Sequence, residues 1–282
     1  RRLAFVSTRT GNADIFVLDL ASSAVRRLTY DDASEMLNAW SPDGRWIYFS
    51  STSRDIAGMQ DVHRIAATGG TPMPVSDDRY LSEYWGAPAP NGETVAITAR
   101  GISAGQWWRL GSSHIDQSEI WLVRGGATPS YEQVTEGGAR EGWPMWMPDG
   151  RTLFYISDRA AAQNIWRREL GGTARQVTRF PDGRVLWPSI SSDGRRIAFE
   201  RNFAIWTLDV GSGEARAISI RLRGAPAAPL AERTVFTDRI QELALSPDGR
   251  KAAFIVRGEV FAASARDGGD GARATRGARR GW

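Results

Sequence analysis

The chain has 282 residues, of which 41% are hydrophobic and 24% are charged, a composition typical of a globular protein with a large buried core. It contains no cysteine, which excludes disulfides, thiolate catalysis and cysteine-ligated zinc. It also contains no apolar run near the roughly 18 residues of a membrane-spanning helix, so the sequence encodes no transmembrane helix. The last 18 residues hold +3 of the formal net charge of +4, so the remainder lacks the concentrated basic face that nucleic-acid binding requires.

The chain opens on a strand-like run at residues 2–6, and five later copies of that run each follow a tight turn. The turn is Pro-Asp-Gly or a close variant, in which Pro presets φ, Asp or Asn tolerates the next position and Gly supplies the positive φ that closes a hairpin. The turn glycines lie 48, 58, 44 and 55 residues apart. The five turns are residues 41–44, 89–92, 147–150, 191–194 and 246–249.

Three further strands accompany each of the five later copies, and two accompany the run that opens the chain. An innermost strand precedes the turn, for example at residues 36–41 and 143–147. The runs at the second position, including the one that opens the chain, are apolar on consecutive residues, which indicates strands buried on both faces. After the turns they lie at 46–49, 95–98, 153–156, 197–199 and 252–256. Third strands are predicted at 14–17, 61–64, 119–122, 164–167, 204–207 and 259–262, and fourth strands at 27–29, 74–76, 133–135, 176–178, 217–219 and 273–275.

Four short strands per unit, six units and no helical periodicity predict an all-β fold, a six-bladed β-propeller of four-stranded antiparallel blades. We expect the propeller to span residues 1–264, and the Arg/Gly-rich end at 265–282 to hold the last outer strand and a truncated lead-in to an inner strand. Blade 1 starts at its second strand, so its innermost strand is expected to be missing within the chain. Residues 277–282 repeat the lead-in at 138–143, so residues 279–282 at most begin that strand.

These repeats carry a family resemblance. The unit S-P-D-G-R-x-I-x-F-x-S-x-(S/T)-R, followed by D-I-(F/Y/W) and R-x-(L/V)-T, resembles the PD40/WD40-like repeats of TolB-like propellers. The stretches 113–121 (SHIDQSEIW), 199–209 (FERNFAIWTLD) and 258–269 (GEVFAASARDGG) look like the propeller of tricorn-type peptidases. That resemblance implies a substrate-gating module, with the catalytic Ser and His in a separate region.

Residues suited to catalysis are few. His63 stands where other units place an aromatic residue, which indicates a packed structural histidine, and His114 lies in an insertion. No G-x-S-x-G elbow and no H-E-x-x-H string occurs, so we expect no catalytic residue, no metal and no cofactor. Acidic loops at 31–35 and 77–78 favour solvated polarity over a calcium site. Two alternatives stay open: a TolB-like interaction propeller, and a propeller hydrolase or lactonase with a tunnel metal.

Charged residues recur just before the inner strands, and aromatic residues follow them. Because side chains alternate along a strand that faces the axis, some of these residues should line the mouth of the channel. For the tryptophans, packing between blades is the competing interpretation. The predicted binding candidates are Glu35, Glu83, Glu141, Trp143, Arg184, Trp187, Arg239 and Glu242.

Two insertions break the period, at residues 101–118 and 221–237. The first is predicted to be a docking loop, because adjacent tryptophans are costly to expose; its candidate residues are Trp107, Trp108, Arg109 and His114. The second is Ala/Pro-rich and suits an extended arm. The predicted partners are a peptide or protein segment at the channel and a second copy of the chain, with no nucleic acid and no membrane insertion. Neither a signal peptide nor an initiator Met precedes Arg1, which indicates a processed or trimmed chain; cytoplasmic and periplasmic locations stay open.

Overall fold

The computed structural model describes residues 1–100, 117–125, 128–220, 240–256, 259–266 and 271–274. The chain divides into two compact units, residues 1–219 and residues 220–282. Every regular element in the described ranges is a β-strand, and no helix there could cross a membrane. The all-β prediction is therefore confirmed for these residues.

The first unit contains five antiparallel sheets in its described residues. Sheet 1 has the order β1-β2-β3, sheet 2 β4-β5-β6-β7, sheet 3 β8-β9-β10-β11, sheet 4 β12-β13-β14-β15 and sheet 5 β16-β17-β18-β19. Each strand thus pairs with its neighbour in sequence. The bounds are β1 Arg2–Ser7, β2 Asp14–Asp19, β3 Val25–Arg27, β4 Met36–Trp40, β5 Trp46–Ser51, β6 Asp61–Ala66, β7 Met73–Pro74, β8 Ser82–Pro88, β9 Thr94–Arg100, β10 Glu119–Arg124, β11 Ser130–Gln133, β12 Glu141–Trp146, β13 Thr152–Ser157, β14 Asn164–Glu169, β15 Arg175–Gln176, β16 Leu186–Ile190, β17 Arg196–Arg201, β18 Ala204–Asp209 and β19 Ala215–Ala217.

The second unit holds sheet 6, with the order β20-β21-β22-β23. Its innermost strand exposes three large apolar side chains, Ile240, Leu243 and Leu245. The prediction of four-stranded antiparallel units is confirmed for sheets 2 to 6. The bounds are β20 Ile240–Leu245, β21 Lys251–Val256, β22 Glu259–Ser264 and β23 Ala272–Arg273.

The repeated turn closes each β-hairpin through its own side chains. In the first copy, Ser41 Oγ donates to Asp43 Oδ1, and Asp43 Oδ1 accepts from the backbone N–H of Arg45. Gly44 has a φ of 68°, and its N–H donates to the carbonyl of Ser41 at 2.9 Å. The Ser-to-Asp hydrogen bond recurs at Ser191 and Ser246. Because the turn residues satisfy one another locally, each copy forms the same hairpin between the first and second strands.

Buried apolar side chains lie between successive sheets of the first unit and form four separate clusters. Each cluster takes residues from two sheets that follow one another in the chain, as expected when sheets pack face to face in series. Representative members are Ile15 and Phe49 for sheets 1 and 2, Tyr48 and Ile97 for sheets 2 and 3, Ile120 and Tyr155 for sheets 3 and 4, and Ile156 and Phe199 for sheets 4 and 5.

Burial on both faces, predicted for every second strand, holds for only part of the series. Strands β9 and β13 are buried along their whole length, and β5 nearly so. The prediction is wrong for β17, in which buried and more exposed residues alternate, and for β1, in which only Ala4 is buried. These two strands belong to the sheets at the two ends of the series, each of which has one neighbouring sheet within the unit.

Sheet 1 has three strands in the described residues, and β1 is its innermost strand. Phe5 of β1 pairs with Phe16 of β2, and their rings stack at 5.7 Å. The edge of β1 that faces away from β2 has no partner strand among the described residues. Residues 279–282, which were expected at most to begin the fourth strand, lie outside those residues.

Candidate functional site

A cavity of about 760 Å³ lies within the first unit. Its walls are the innermost strands β4, β8, β12 and β16, the turns that follow them, and β1. Strand β1 reaches this pocket because no described strand covers its inner edge. The lining residues are Leu3, Ala4, Leu37, Asn38, Ala39, Trp40, Pro42, Trp85, Gly86, Ala87, Pro88, Pro90, Trp143, Pro144, Met145, Trp146, Pro148, Trp187, Pro188, Ser189, Ile190, Ser191 and Ser192.

A β-bulge interrupts each innermost strand where it passes the pocket. In β8, β12 and β16 the register shifts at Trp85, Trp143 and Trp187. These tryptophans adopt φ values of 54°, 51° and 52°, a left-handed conformation that costs a bulky residue about 1 kcal/mol or more. A bulge re-aims the side chain that it carries, and here three successive bulges each bring an indole to the pocket.

The three bulge tryptophans form one aromatic stack. The rings of Trp85 and Trp143 are 3.6 Å apart at an interplanar angle of 14°, and Trp143 meets Trp187 edge to face at 5.8 Å. Trp187 is the open end of the stack, with 56% of its surface exposed. Gly142 leaves room for the stack, because a Cβ at this position would lie 2.6 Å from Cζ3 of Trp85.

The pocket lining contains no charged side chain among the described residues. Its polar side chains are one asparagine and three serines. Asn38 occupies the bulge of β4, and its Oδ1 accepts from Ser50 Oγ at 2.8 Å and from the N–H of Gly86 at 3.1 Å. Ser191 Oγ donates to Asp193 and accepts from the N–H of Arg196. The pocket is therefore an aromatic and proline-rich surface with few polar groups to offer.

Three of the predicted binding residues, Glu35, Glu83 and Glu141, are buried at the junctions between sheets and do not line this pocket. Each junction uses a hydroxyl that follows the outermost strand of the preceding sheet. At the first junction, Thr29 Oγ1 donates to Glu35 Oε2 at 2.8 Å and accepts from the N–H of Ile15 at 2.9 Å. Burial raises the pKa of Glu35 to about 7.

The next two junctions repeat this contact. Ser76 and Thr135 hydrogen-bond to Glu83 and Glu141, respectively. Burial raises the pKa of Glu83 to about 7 and raises the pKa of Glu141 as well. Glu141 also has a cationic partner, because Nη2 of Arg159 lies 3.3 Å from its Oε1. These glutamates therefore join successive sheets, a use that their position in the sequence did not reveal.

The remaining predicted residues divide into three groups. Trp143 and Trp187 line the pocket, as the channel interpretation requires. Arg184 lies just before β16 but outside the lining, and Glu242 occupies the bulge of β20 in the second unit, with a φ of 49°. Arg239 and the docking-loop residues Trp107, Trp108, Arg109 and His114 lie outside the described residues. The binding roles stay predictions.

The prediction of a structural His63 is confirmed. Its ring is buried and stacks on Phe49 at 5.5 Å, and Nδ1 lies 3.1 Å from the carbonyl oxygen of Asp61. Burial lowers the pKa of His63. In the ranges that the structure covers, no three His, Asp or Glu side chains are grouped so that they could hold a metal ion.

Most of the pocket lining was not among the predicted binding candidates, and it includes two further bulge residues, Trp85 and Asn38. Trp85 stands at the bulge position equivalent to Trp143 and Trp187, whereas Asn38 lies at the bulge of β4 but one residue closer to its turn, six residues before Gly44. The signal that could have found Trp85 is the spacing to the turn: it precedes Gly92 by seven residues, as Trp143 precedes Gly150 and Trp187 precedes Gly194.

The family model described as "Tricorn protease N-terminal beta propeller domain" matches residues 1–214. The chain belongs to this family. Putative tricorn protease homolog 2 of Streptomyces coelicolor is 22% identical over 294 residues, which cover 86% of this chain and 24% of that protein. Uncharacterized peptidase YuxL of Bacillus subtilis is 40% identical over 102 residues, or 34% of this chain and 14% of that protein. The chain thus spans a quarter or less of the length of these two relatives.

Among solved structures, TolB from Acinetobacter baumannii is similar, with a TM-score of 0.62 and 18% identity, over 94% of this chain and 61% of that chain. This likeness concerns the fold, which is that of a β-propeller. Both resemblances read from the repeats, to TolB-like propellers and to tricorn-type propellers, are confirmed.

Proposed function

We propose that the chain is a six-bladed β-propeller that binds peptide or protein segments in its tryptophan-lined pocket, as a non-catalytic gating module of a tricorn-type peptidase. The observation that carries the proposal is the pocket itself, built from four innermost strands that each place a bulge residue on it. Membership of the tricorn N-terminal propeller family supports a peptide as the occupant.

The size and lining of the pocket suit part of a polypeptide chain. A volume of about 760 Å³ lies within the range of sites that enclose a ligand of a few side chains. Tryptophan is enriched among residues that carry most of the binding free energy at interfaces, because a large rigid surface is buried at low cost in entropy. The stack of Trp85, Trp143 and Trp187 is therefore the proposed anchor.

A closed ring of six blades is part of this proposal. Its support is the sixfold repeat of strand units and the turn motif that five of them share. The exposed Ile240, Leu243 and Leu245 of β20 add to it, because a propeller blade buries both faces against its neighbours. Arg184, Arg239 and Glu242 are proposed to flank the channel as charged residues outside its aromatic part.

The test measures retention of peptides. The immobilised chain is incubated with a synthetic library of blocked ten-residue peptides, and retained peptides are quantified by mass spectrometry. The full chain should retain a subset of the library, and Trp143→Ala and Trp187→Ala should reduce that retention, whereas Ile56→Ala should not, because Ile56 is fully exposed away from the pocket. Retention unaffected by either tryptophan variant would contradict the proposed site.

The non-catalytic part of the proposal has its own assay. The chain is offered peptide, ester and lactone substrates with and without Ca²⁺, and we expect no turnover. Turnover that is abolished by His114→Ala or by a chelator would overturn it and would favour the hydrolase alternative.

A further inference from the structure

We propose that the segment recognised by the pocket is proline-rich and extended. This inference rests on the proposed function, because it names the class of peptide that the same pocket binds. Proline-rich segments adopt the polyproline II helix before they bind, and they dock on grooves lined by aromatic side chains. Three features of the pocket favour such a segment over other peptides and over a sugar.

The first feature is the arrangement of aromatic faces. Trp143 meets Trp187 edge to face at 5.8 Å, so the two indoles form the adjoining walls of a corner and not a flat platform. More than half of the surface of Trp187 is exposed, although its backbone lies within β16. A prolyl ring is a compact apolar group that can pack in such a corner, and its fixed φ loses little entropy on binding.

The second feature is the balance of hydrogen-bond donors and acceptors. Asn38 Oδ1 and Ser191 Oγ, two of the few side-chain acceptors on the pocket, already accept hydrogen bonds within the chain. The indole N–H groups of Trp143 and Trp187 donate to no described residue. The hydroxyl groups of Ser189 and Ser192 can donate as well as accept. The side chains of the pocket thus offer more free donors than free acceptors, which matches a chain of carbonyl groups with few N–H groups.

The third feature is the absence of charge from the lining among the described residues. A charged peptide would lose its hydration in this pocket without gaining an ionic partner, which is costly. The hydroxyl groups of a sugar bring many donors, and the side chains of Asn38 and Ser191 are already engaged. An uncharged, proline-rich peptide meets all three conditions.

The experiment compares defined ligands on the full chain by fluorescence titration and calorimetry. The probes are a blocked ten-residue peptide of alternating proline and alanine, a blocked alanine–glycine peptide of the same length, a lysine–glutamate peptide and cellohexaose. We expect the proline peptide to bind at least tenfold more tightly than the other three. Trp187→Ala should weaken it on the order of tenfold, and Trp187→Phe much less, because phenylalanine keeps an aromatic face. Tyr80→Ala, at an exposed aromatic outside the pocket, should leave binding unchanged.

The outcomes separate this inference from the function on which it rests. Equal binding of the proline and alanine–glycine peptides, weakened alike by Trp187→Ala, would overturn proline selectivity and leave peptide binding in place. Binding of cellohexaose alone, or of none of the probes by a chain that also retains no library peptide, would overturn both. Circular dichroism of each variant confirms that the comparison is made between folded proteins.

Discussion

Replacing Gly142 by alanine should destabilise the protein through the tryptophan stack. A Cβ at this position lies 2.6 Å from Cζ3 and 3.0 Å from Cε3 of Trp85. The Trp85 ring cannot easily retreat, because Trp143 stacks on it at 3.6 Å and Tyr84 contacts it edge to face at 4.6 Å. The φ of Gly142 is not in the left-handed region, so the effect comes from the added methyl group and not from the backbone.

The expected magnitude follows from opposing effects. Overpacking a core position costs about 1–3 kcal/mol, and loss of an aromatic stacking contact adds about 0.5–1.5 kcal/mol. Alanine also restricts the unfolded chain, which stabilises the folded state by about 0.4–1 kcal/mol. We therefore expect Gly142→Ala to lower the free energy of unfolding by about 1–3 kcal/mol.

Urea unfolding followed by tryptophan fluorescence measures this change, and near-UV circular dichroism reports the stack. Gly211→Ala is the matched control, because a Cβ there meets nothing closer than Asp209 Oδ1 at 3.5 Å; it should not lower the free energy of unfolding and should raise it by no more than about 1 kcal/mol. An unchanged free energy of unfolding together with an unchanged near-UV spectrum in Gly142→Ala would refute the reasoning.

Three further predictions concern the sheet junctions and the first insertion. Burial raises the pKa of Glu83 to about 7, so the folded state keeps a proton that the unfolded state releases near pH 4.5. The free energy of unfolding should therefore fall by up to about 3 kcal/mol as the pH rises from 4.5 to 8. Glu83→Gln should flatten this dependence, which urea titrations at several pH values measure. Arg159→Ala should cost about 1–3 kcal/mol, because it leaves the buried Glu141 without its cationic partner, whereas Arg151→Ala should cost less than about 1 kcal/mol, since its pair with Glu169 is exposed on both sides. Deleting residues 106–110 should leave thermal unfolding intact and weaken self-association or partner binding in analytical ultracentrifugation.

Each of these predictions has a distinct contrary result. A pH dependence that is unchanged in Glu83→Gln would assign the effect to other groups, such as Glu35 or Asp61, whose pKa values burial also raises to about 7. Equal losses in Arg159→Ala and Arg151→Ala would contradict the importance of the buried partner. A deletion of 106–110 that unfolds the chain would make Trp107 and Trp108 core residues.

The sequence predicted the β-turns and their flanking strands best, because these depend on interactions between residues that are close in the chain. The Pro-Asp-Gly turns satisfy their own hydrogen bonds within a few residues, so their positions and the flanking strands could be predicted directly. The tricorn-like and TolB-like repeats, read from the same strings, match the family and the fold. Hairpins of this kind carry their signal in a short window of sequence.

The surroundings of the three buried glutamates could not be predicted from the sequence. Glu35, Glu83 and Glu141 recur at a regular position near the start of the inner strands, which predicted charged binding residues at the mouth of the channel. Their actual surroundings depend on Thr29, Ser76 and Thr135 of the preceding sheet, and no local pattern shows which hydroxyl a carboxylate will meet. The left-handed backbone at Trp85 was equally hidden, since tryptophan rarely adopts that conformation.

Because the four apolar clusters of the first unit each join only two successive sheets, its cohesion is a chain of nearest-neighbour contacts. Within this unit the middle sheets pack against a sheet on each side, and the more deeply buried strands are expected to open less often. Amide hydrogen exchange should accordingly be slowest in β9 and β13 and faster in β1 and β17. The tryptophan stack would then join regions of different exchange rate, because Trp85 and Trp143 lie on sheets 3 and 4, where exchange is expected to be slowest, and Trp187 lies on sheet 5.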